Sequence, residues 1–330
     1  MPRILIAGGY GVVGSWIARE LKSAHPDVEL LLAGRNPDAG AALAAEVDAK
    51  PIRLDVRDPD AAIAAEGSID LLIASLQDPG DKLAMAAVQR GAAYTSVVRY
   101  ADTASALAVV AERAGRPALA QGHWQAGVMS LVAIWAANSF ARVDSIELGA
   151  LYDYADPSGP MTKEDATGFF DNGALIRRDG EWLRVDPKAE ARMVGRAPDG
   201  PSFGARPMTV LDVPGLAGAT GARNVRFDLG TGESRGTLAG AAASHEIYID
   251  LRGSLGSGEE HASRTVMSDP KGQAHLTALG IVLGSERLLG LDGRPPPRPG
   301  LSYAEAAIDA EAAVARLQEF GVSIETAAAL

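Results

Sequence analysis

The chain has 330 residues, 47% of them hydrophobic, a formal net charge of −11 and no cysteine. That length admits two domains and a sizeable core. The missing thiols exclude disulfides, thiolate catalysis and cysteine-ligated metal sites, and the acidic balance argues against a non-specific nucleic-acid binder. No apolar run reaches ~18 residues, so no membrane span is expected, and a cysteine-free chain without a signal peptide is expected in the cytoplasm.

Arg3–Ala7 is a short apolar run that predicts a buried strand. Gly9, Gly11 and Gly14 follow with the G-x-G-x-x-G spacing of a dinucleotide-binding turn. Gly9 permits the tight turn, the bare Gly11 lets a pyrophosphate approach the backbone, and Gly14 lets the next helix, Val12 to Ala24, lie close to the sheet. That helix aims its N–H groups and positive dipole end at the phosphates. Gly9, Tyr10, Gly11, Val12, Val13 and Gly14 are therefore candidate cofactor-binding residues.

Further strands are expected at Val28–Ala33, Pro51–Asp55, Asp70–Ser75, Ala93–Val98 and Ala118–Gln121. Helices are expected at Pro37–Val47, Asp81–Arg90 (stopped by Gly91) and Asp102–Ala114. Strands alternating with helices predict an α/β fold with a Rossmann-like doubly wound parallel sheet.

After Gly122 the pattern changes. Val128–Phe140 reads as a helix and Ser145–Tyr152 as a strand, and Ala174–Arg178 and Glu181–Val185 flank a hairpin turn at Asp179-Gly180. Met208–Val213, Val225–Leu229, Glu246–Arg252 and Arg264–Ser268 are further strand candidates. Strand following strand implies an inserted α+β substrate domain. Gln273–Leu289 returns to helix, the PPPRP stretch within Asp292–Gly300 reads as a stiff linker or edge segment, Tyr303–Phe320 as one long helix and Val322–Glu325 as a short strand. The expected division is residues 1–125 plus about 290–330 for dinucleotide binding, and 126–289 for substrate binding and dimerisation.

The end of the second strand chooses the cofactor. NAD sites usually place a carboxylate there for the ribose 2′-OH. Here Arg35 stands at that point, and Ala33, Gly34 and Asn36 carry no carboxylate. A guanidinium pairs bidentately with a 2′-phosphate, so NADP is expected, with NAD as the alternative, and Arg35 and Asn36 are its adenosine-end candidates. Asp55 and Val56 are placed at the adenine, and Ser75, Leu76 and Gln77 at the nicotinamide ribose. No Tyr lies four residues before a Lys, which disfavours the short-chain reductase mechanism, and the five histidines are scattered, so no metal site is expected. His123, after the sixth strand, is a candidate proton donor, as are Tyr152 and Tyr154. Lys163, Arg177 and Arg178 could hold a substrate carboxylate.

GGYGVVG, Ala33–Asn36 (AGRN), Leu54–Asp58 (LDVRD), Arg90–Val97 (RGAAYTSV) and the GHWQAGVMSLVA stretch together resemble the saccharopine dehydrogenase-like reductases. Gly272–Gly290 and Leu317–Glu325 are also similar to that group. Two stretches depart from it: Tyr94-Thr95-Ser96 stands where the family often has Tyr-Val-Asp, and Gln125-Ala126-Gly127 where it often has Pro-Gly. The resemblance implies a Rossmann domain completed by C-terminal elements, an inserted substrate domain, frequent homodimers, and NAD(P)-linked oxidation or reduction of C–N bonds. The resulting expectation is an NADP-dependent oxidoreductase acting on a small imine, amino-acid or carbonyl substrate in an interdomain cleft. The alternative is a non-catalytic NADP-binding redox sensor or regulatory subunit.

Overall fold

A computed structural model describes residues 1–98, 103–159, 173–196 and 200–328. The chain forms two compact units, Met1–Ala126 with Thr277–Ile308, and Gly127–Leu276 with Asp309–Leu330.

The first unit is built on a seven-stranded sheet. Its strands are β1 (Arg3–Ala7), β2 (Glu29–Gly34), β3 (Ala49–Arg53), β4 (Leu71–Ala74), β5 (Ala93–Ser96), β6 (Pro117–Ala120) and β15 (Gly300–Tyr303). The order is β15-β6-β5-β4-β1-β2-β3, and every pairing is parallel. Helices on both faces leave the central strands no contact with water, which is why β1, β2 and β4 read as unbroken apolar runs. The order reverses direction at β1, whose neighbours are β4 and β2. This is the doubly wound arrangement, whose ligand crevice lies at the carboxyl ends of the strands on either side of that reversal.

In the second unit a mixed sheet runs β10-β11-β12-β7-β13-β14-β16, with the β8–β9 hairpin attached to β12. These strands are β7 (Arg142–Tyr152), β8 (Ala174–Arg178), β9 (Glu181–Val185), β10 (Arg192–Val194), β11 (Phe203–Pro207), β12 (Asn224–Thr231), β13 (His245–Ser254), β14 (Glu260–Asp269) and β16 (Ser323–Ala328). Among the described residues only β7 and β12 pair in parallel. The Val128–Ala137 helix contacts the Asp212–Thr220 and Ala310–Glu319 helices and also β13, while Asp212–Thr220 packs on β12.

Three sequence expectations change. Met208–Val213 is not a strand: β11 ends at Pro207, and Asp212 opens a helix. An apolar run this short fits either period. Pro214 sits in that helix's first turn, where its missing N–H costs no bond. Tyr303–Phe320 is not one helix either. A single turn, Ala304–Ala307, ends at extended Ile308, and Asp309 starts a new helix by accepting a hydrogen bond from the Ala312 N–H at 2.9 Å. Finally, residues 309–328 join the second unit, because β16 pairs antiparallel with β14, whereas Thr277–Leu289 belongs to the first unit.

Removing the Asp309 cap by Asp309→Ala is expected to cost about 1 kcal/mol of stability, and Asp309→Asn, which keeps the acceptor, much less. Denaturant midpoints of the two variants check this.

Candidate functional site

The turn after β1 is tied to both neighbouring strands. Gly8 N–H donates to Ala33 O of β2 at 2.8 Å, and Ser75 N–H beyond β4 donates to Ala7 O at 2.8 Å. Gly8 has φ +78°, and a Cβ there would lie 2.8 Å from Ser75 O. At Gly14 a Cβ would overlap the Gly8 carbonyl oxygen. The Val12–Ala24 helix therefore starts directly on the turn. Ser15 N–H bonds back to Gly11 O and Gly11 N–H to Gly8 O, each at 2.9 Å, so the N–H groups of Val12, Val13 and Gly14 remain for a ligand. Its first turn carries no acid, so nothing opposes an anion there. Ser75 Oγ is buried with no hydrogen-bond partner among the described residues. A bare backbone cradle, a helix start and an orphaned hydroxyl fit a dinucleotide pyrophosphate.

At the end of β2, Arg35 and Asn36 are exposed. Tyr10 Oη accepts the Asn36 N–H at 3.0 Å. Asp55 is held by Arg57, through its Nη2 at 2.6 Å, its Nε at 3.1 Å and its backbone N–H at 3.0 Å. Those hydrogen bonds, with the charges of Arg57 and Arg35, hold the Asp55 carboxyl well below the usual range. Val56 and Leu76 pack on the core beneath the strand ends, and Gln77 is exposed.

His123 does not open onto this crevice. Its side chain is fully buried, with Nε2 2.9 Å from Glu305 Oε1 and the Tyr303 ring edge-on to it. A proton on this ring reaches a ligand only if its pairing with Glu305 rearranges. The turn that follows is strained. Gln125 (φ 52°) and Ala126 (φ 53°) are left-handed and buried, and Gln125 Oε1 accepts from the Thr277 hydroxyl.

In the second unit, Tyr152 and Tyr154 stack edge to face at 5.3 Å. They line a groove of about 690 Å³ with Met193, Arg206, Leu229 and Thr231. Arg178 is not among the lining residues and is paired with Glu190 at 2.7 Å, while Arg177 lies over Trp182. Lys163 lies outside the described residues.

A polar cluster that the sequence analysis missed sits where β14 ends and the Gln273–Leu289 helix begins. Asp269 Oδ2 lies 2.6 Å from His275 Nδ1, both side chains being buried, and Asp269 Oδ1 accepts the Lys271 N–H at 2.9 Å. Lys271 Nζ is 3.4 Å from His275 Nε2. Beside them, Asp156 Oδ2 accepts the Gln273 N–H at 2.7 Å. Burial, with Asp153, Asp269 and Glu246 nearby, pushes the Asp156 carboxyl up to about 6. Burial also works to raise Asp153, but hydrogen bonds from Thr237, Ser234 and Ala155 outweigh it and hold that carboxyl below its ordinary value. The available signal was an Asp, a Lys and a His spaced around a helix start, D-P-K-G-Q-A-H.

These shifts predict a pH dependence. Folded Asp156 keeps its proton up to about 6, against 3.8 for the ordinary group. Its contribution to stability is therefore full below 3.8 and is lost as pH rises toward about 6. Burial pushes His245 down from 6.5 to about 4, so its contribution is lost as pH falls through that range. Asp156→Asn removes only the first effect. Relative to the parent chain, the variant is expected to gain stability as pH rises from about 4 to about 6 and then level off, as read by chemical unfolding across that range.

No family model matches the sequence, and neither does any curated protein. Solved structures do match. The apo L-Glu-forming saccharopine dehydrogenase of Saccharomyces cerevisiae superposes with a TM-score of 0.77 at 13% identity, over 100% of both chains. The homospermidine synthase of Legionella pneumophila, in complex with NAD, gives 0.66 at 10% identity over 99% of this chain and 91% of that one. GenD2 from gentamicin A biosynthesis, also in complex with NAD, gives 0.52 at 14% identity over 99% and 97%. Over its full length this chain has the fold of saccharopine dehydrogenase.

Proposed function

We propose that this chain is an NADP-dependent oxidoreductase of the saccharopine dehydrogenase-like group, moving a hydride between the nicotinamide and a carbon of a small imine, amino-acid or carbonyl substrate. The observation that carries the reading is the glycine turn, whose backbone cradle, helix start and orphaned Ser75 hydroxyl match what a dinucleotide requires. Gly9 to Gly14 would hold the pyrophosphate. Arg35 and Asn36 would hold the 2′-phosphate, Asp55 and Val56 would border the adenine, and Ser75, Leu76 and Gln77 the nicotinamide ribose. NADP is favoured over NAD because the end of β2 carries a cation and no carboxylate, while Asp55, the acid at the end of the neighbouring strand, is already taken by Arg57. The cofactor, when bound, supplies the hydride chemistry.

The protein's own part is binding, orientation and proton handling. Tyr152 and Tyr154 form an aromatic wall suited to a small substrate. The proton could come from His123, Tyr152 or Tyr154, and the Asp269–His275–Lys271 group is a further candidate, buried like His123 but ending on an exposed amine. Asp269 fixes the imidazole through Nδ1, His275 Nε2 faces Lys271, and Lys271 is the exposed end.

A fluorescence titration with NADPH and NADH tests the cofactor. Arg35→Ala is expected to weaken NADPH binding by roughly tenfold or more, the size of one lost charge-assisted hydrogen bond, and to leave NADH unchanged. Equal binding of both cofactors by the parent chain would remove the role of Arg35. In a panel of imines, 2-oxo acids and amino acids, His275→Asn is expected to lower NADPH oxidation without changing NADPH affinity. Tight NADPH binding with no oxidation by any member of the panel would favour the redox-sensor reading.

A further inference from the structure

Tyr10 occupies the middle of the G-x-G turn, and its half-buried side chain crosses to the end of β2. Its floor is made by two glycines from another segment. A Cβ at Gly34 would overlap the Tyr10 hydroxyl, and one at Gly40 would lie 2.6 Å from the ring Cδ1. Neither glycine has a positive φ. Their missing side chains are therefore required by the ring above them and not by the backbone.

The ring fills the space above the strand end at which a NAD-binding chain would present a carboxylate to the ribose. Its Oη accepts the Asn36 N–H at 3.0 Å, which uses the backbone donor at that strand end. A phenol has one proton of its own to donate, and this one meets no acceptor among the described residues. Between Gly34 and Asn36, both of which meet Tyr10, stands the exposed Arg35. The acids nearby in sequence are Asp55, which is bound to Arg57, and Asp38, which is exposed to solvent in the turn Pro37–Gly40.

We propose that Tyr10 is a specificity-determining residue of the cofactor site, donating its phenolic proton to the adenosine 2′-phosphate and so distinguishing a phosphorylated from an unphosphorylated ribose. This rests on the NADP reading above. A hydrogen bond to a charged oxygen is worth roughly twice one to a neutral oxygen. The donor therefore favours the phosphate over the hydroxyl that replaces it in NAD. Arg35 supplies the charge, and Tyr10 supplies a donor whose position is fixed by Gly34, Gly40 and Asn36.

The test is direct binding, which needs no substrate. Tyr10→Phe keeps the ring on its glycine floor and removes only the hydroxyl. It is expected to weaken NADPH and adenosine 2′,5′-bisphosphate by roughly tenfold, with NADH and adenosine 5′-monophosphate unchanged. Gly34→Ala, which expels the ring while leaving the hydroxyl in the chain, is expected to show the same selective loss. Thermal unfolding midpoints identify any variant that fails to fold. Equal losses for phosphorylated and unphosphorylated ligands in Tyr10→Phe, or no loss for either, would overturn the assignment while leaving the NADP reading intact. Failure of the parent chain itself to prefer the 2′-phosphorylated ligands would overturn both.

Discussion

No side chain fits at position 14, because a Cβ there would overlap the Gly8 carbonyl oxygen. That contact sets the distance between the first helix and the turn beneath it, and much else in the first unit depends on it. Gly8 is bonded to β2, and Ser75 to the end of β1, so the ends of three parallel strands converge on one loop. The helix dipole and its free N–H groups stay against the turn only while this approach is kept. An added methyl would force apart backbone atoms that cannot repack as a side chain can.

A second constraint acts at the other end of the sheet. Gln121 is fully buried, accepts from Thr95 Oγ1 at 2.7 Å and donates to Ala126 O at 3.0 Å and to Gly280 O at 2.6 Å. One amide thus joins β5, the turn after β6 and the Gln273–Leu289 helix. The helix comes this close because positions 280 and 284 are glycine: a Cβ at Gly280 would lie 2.6 Å from Gln125 O, and one at Gly284 would overlap Gln121 Oε1. The left-handed Gln125 and Ala126 cost about 1–3 kcal/mol each, and persist because the surrounding bonds over-determine them. Of the positions where the chain departs from the saccharopine dehydrogenase-like pattern, Thr95, Gln125 and Ala126 lie within this network. The departures thus alter the support of the turn as well as its sequence.

In the second unit, buried charge is the main problem. Asp228 is fully buried and is met by Arg192 at 2.7 Å and Arg226 at 2.5 Å, with Glu147 and Glu190 completing the set. An unpaired charge there would be costly, so removing either arginine should hurt more than the pair gains over an apolar substitute. The cluster of Asp153, Asp156, Asp269 and His275 is handled differently. Hydrogen bonds stabilise the charge on Asp153, while burial favours the protonated form of Asp156. Carboxylates in close quarters are separated in pKa, and such separation is how one site can hold both an acid and a base.

The sequence by itself determined six of the seven strands of the first unit's sheet and its glycine turn, but not β15, which falls where a linker and a helix start were expected. Both are local: an apolar run long enough for one strand, then glycines at fixed offsets, then a helix period. It also located the change at Gly122 from alternating strands and helices to strand after strand. The tertiary structure decided what depends on partners distant in the chain. Residues 309–328 were legible as helix and strand, yet their sheet is set by the pairing of β16 with β14. Met208–Val213 carried an apolar run that either period accommodates. His123 read as a proton donor from its place after β6, but its ring is sealed by Glu305, far along the chain. The Lys271–His275–Asp269 group was hidden because a helix start brings the three together and no motif names them. Tyr10 was legible as part of the turn. Its role was not, because the two glycines beneath it and the amide it accepts belong to the end of the next strand. Periodicity and turn chemistry act between neighbours and can be read in order, whereas burial and partnership are set by packing between segments.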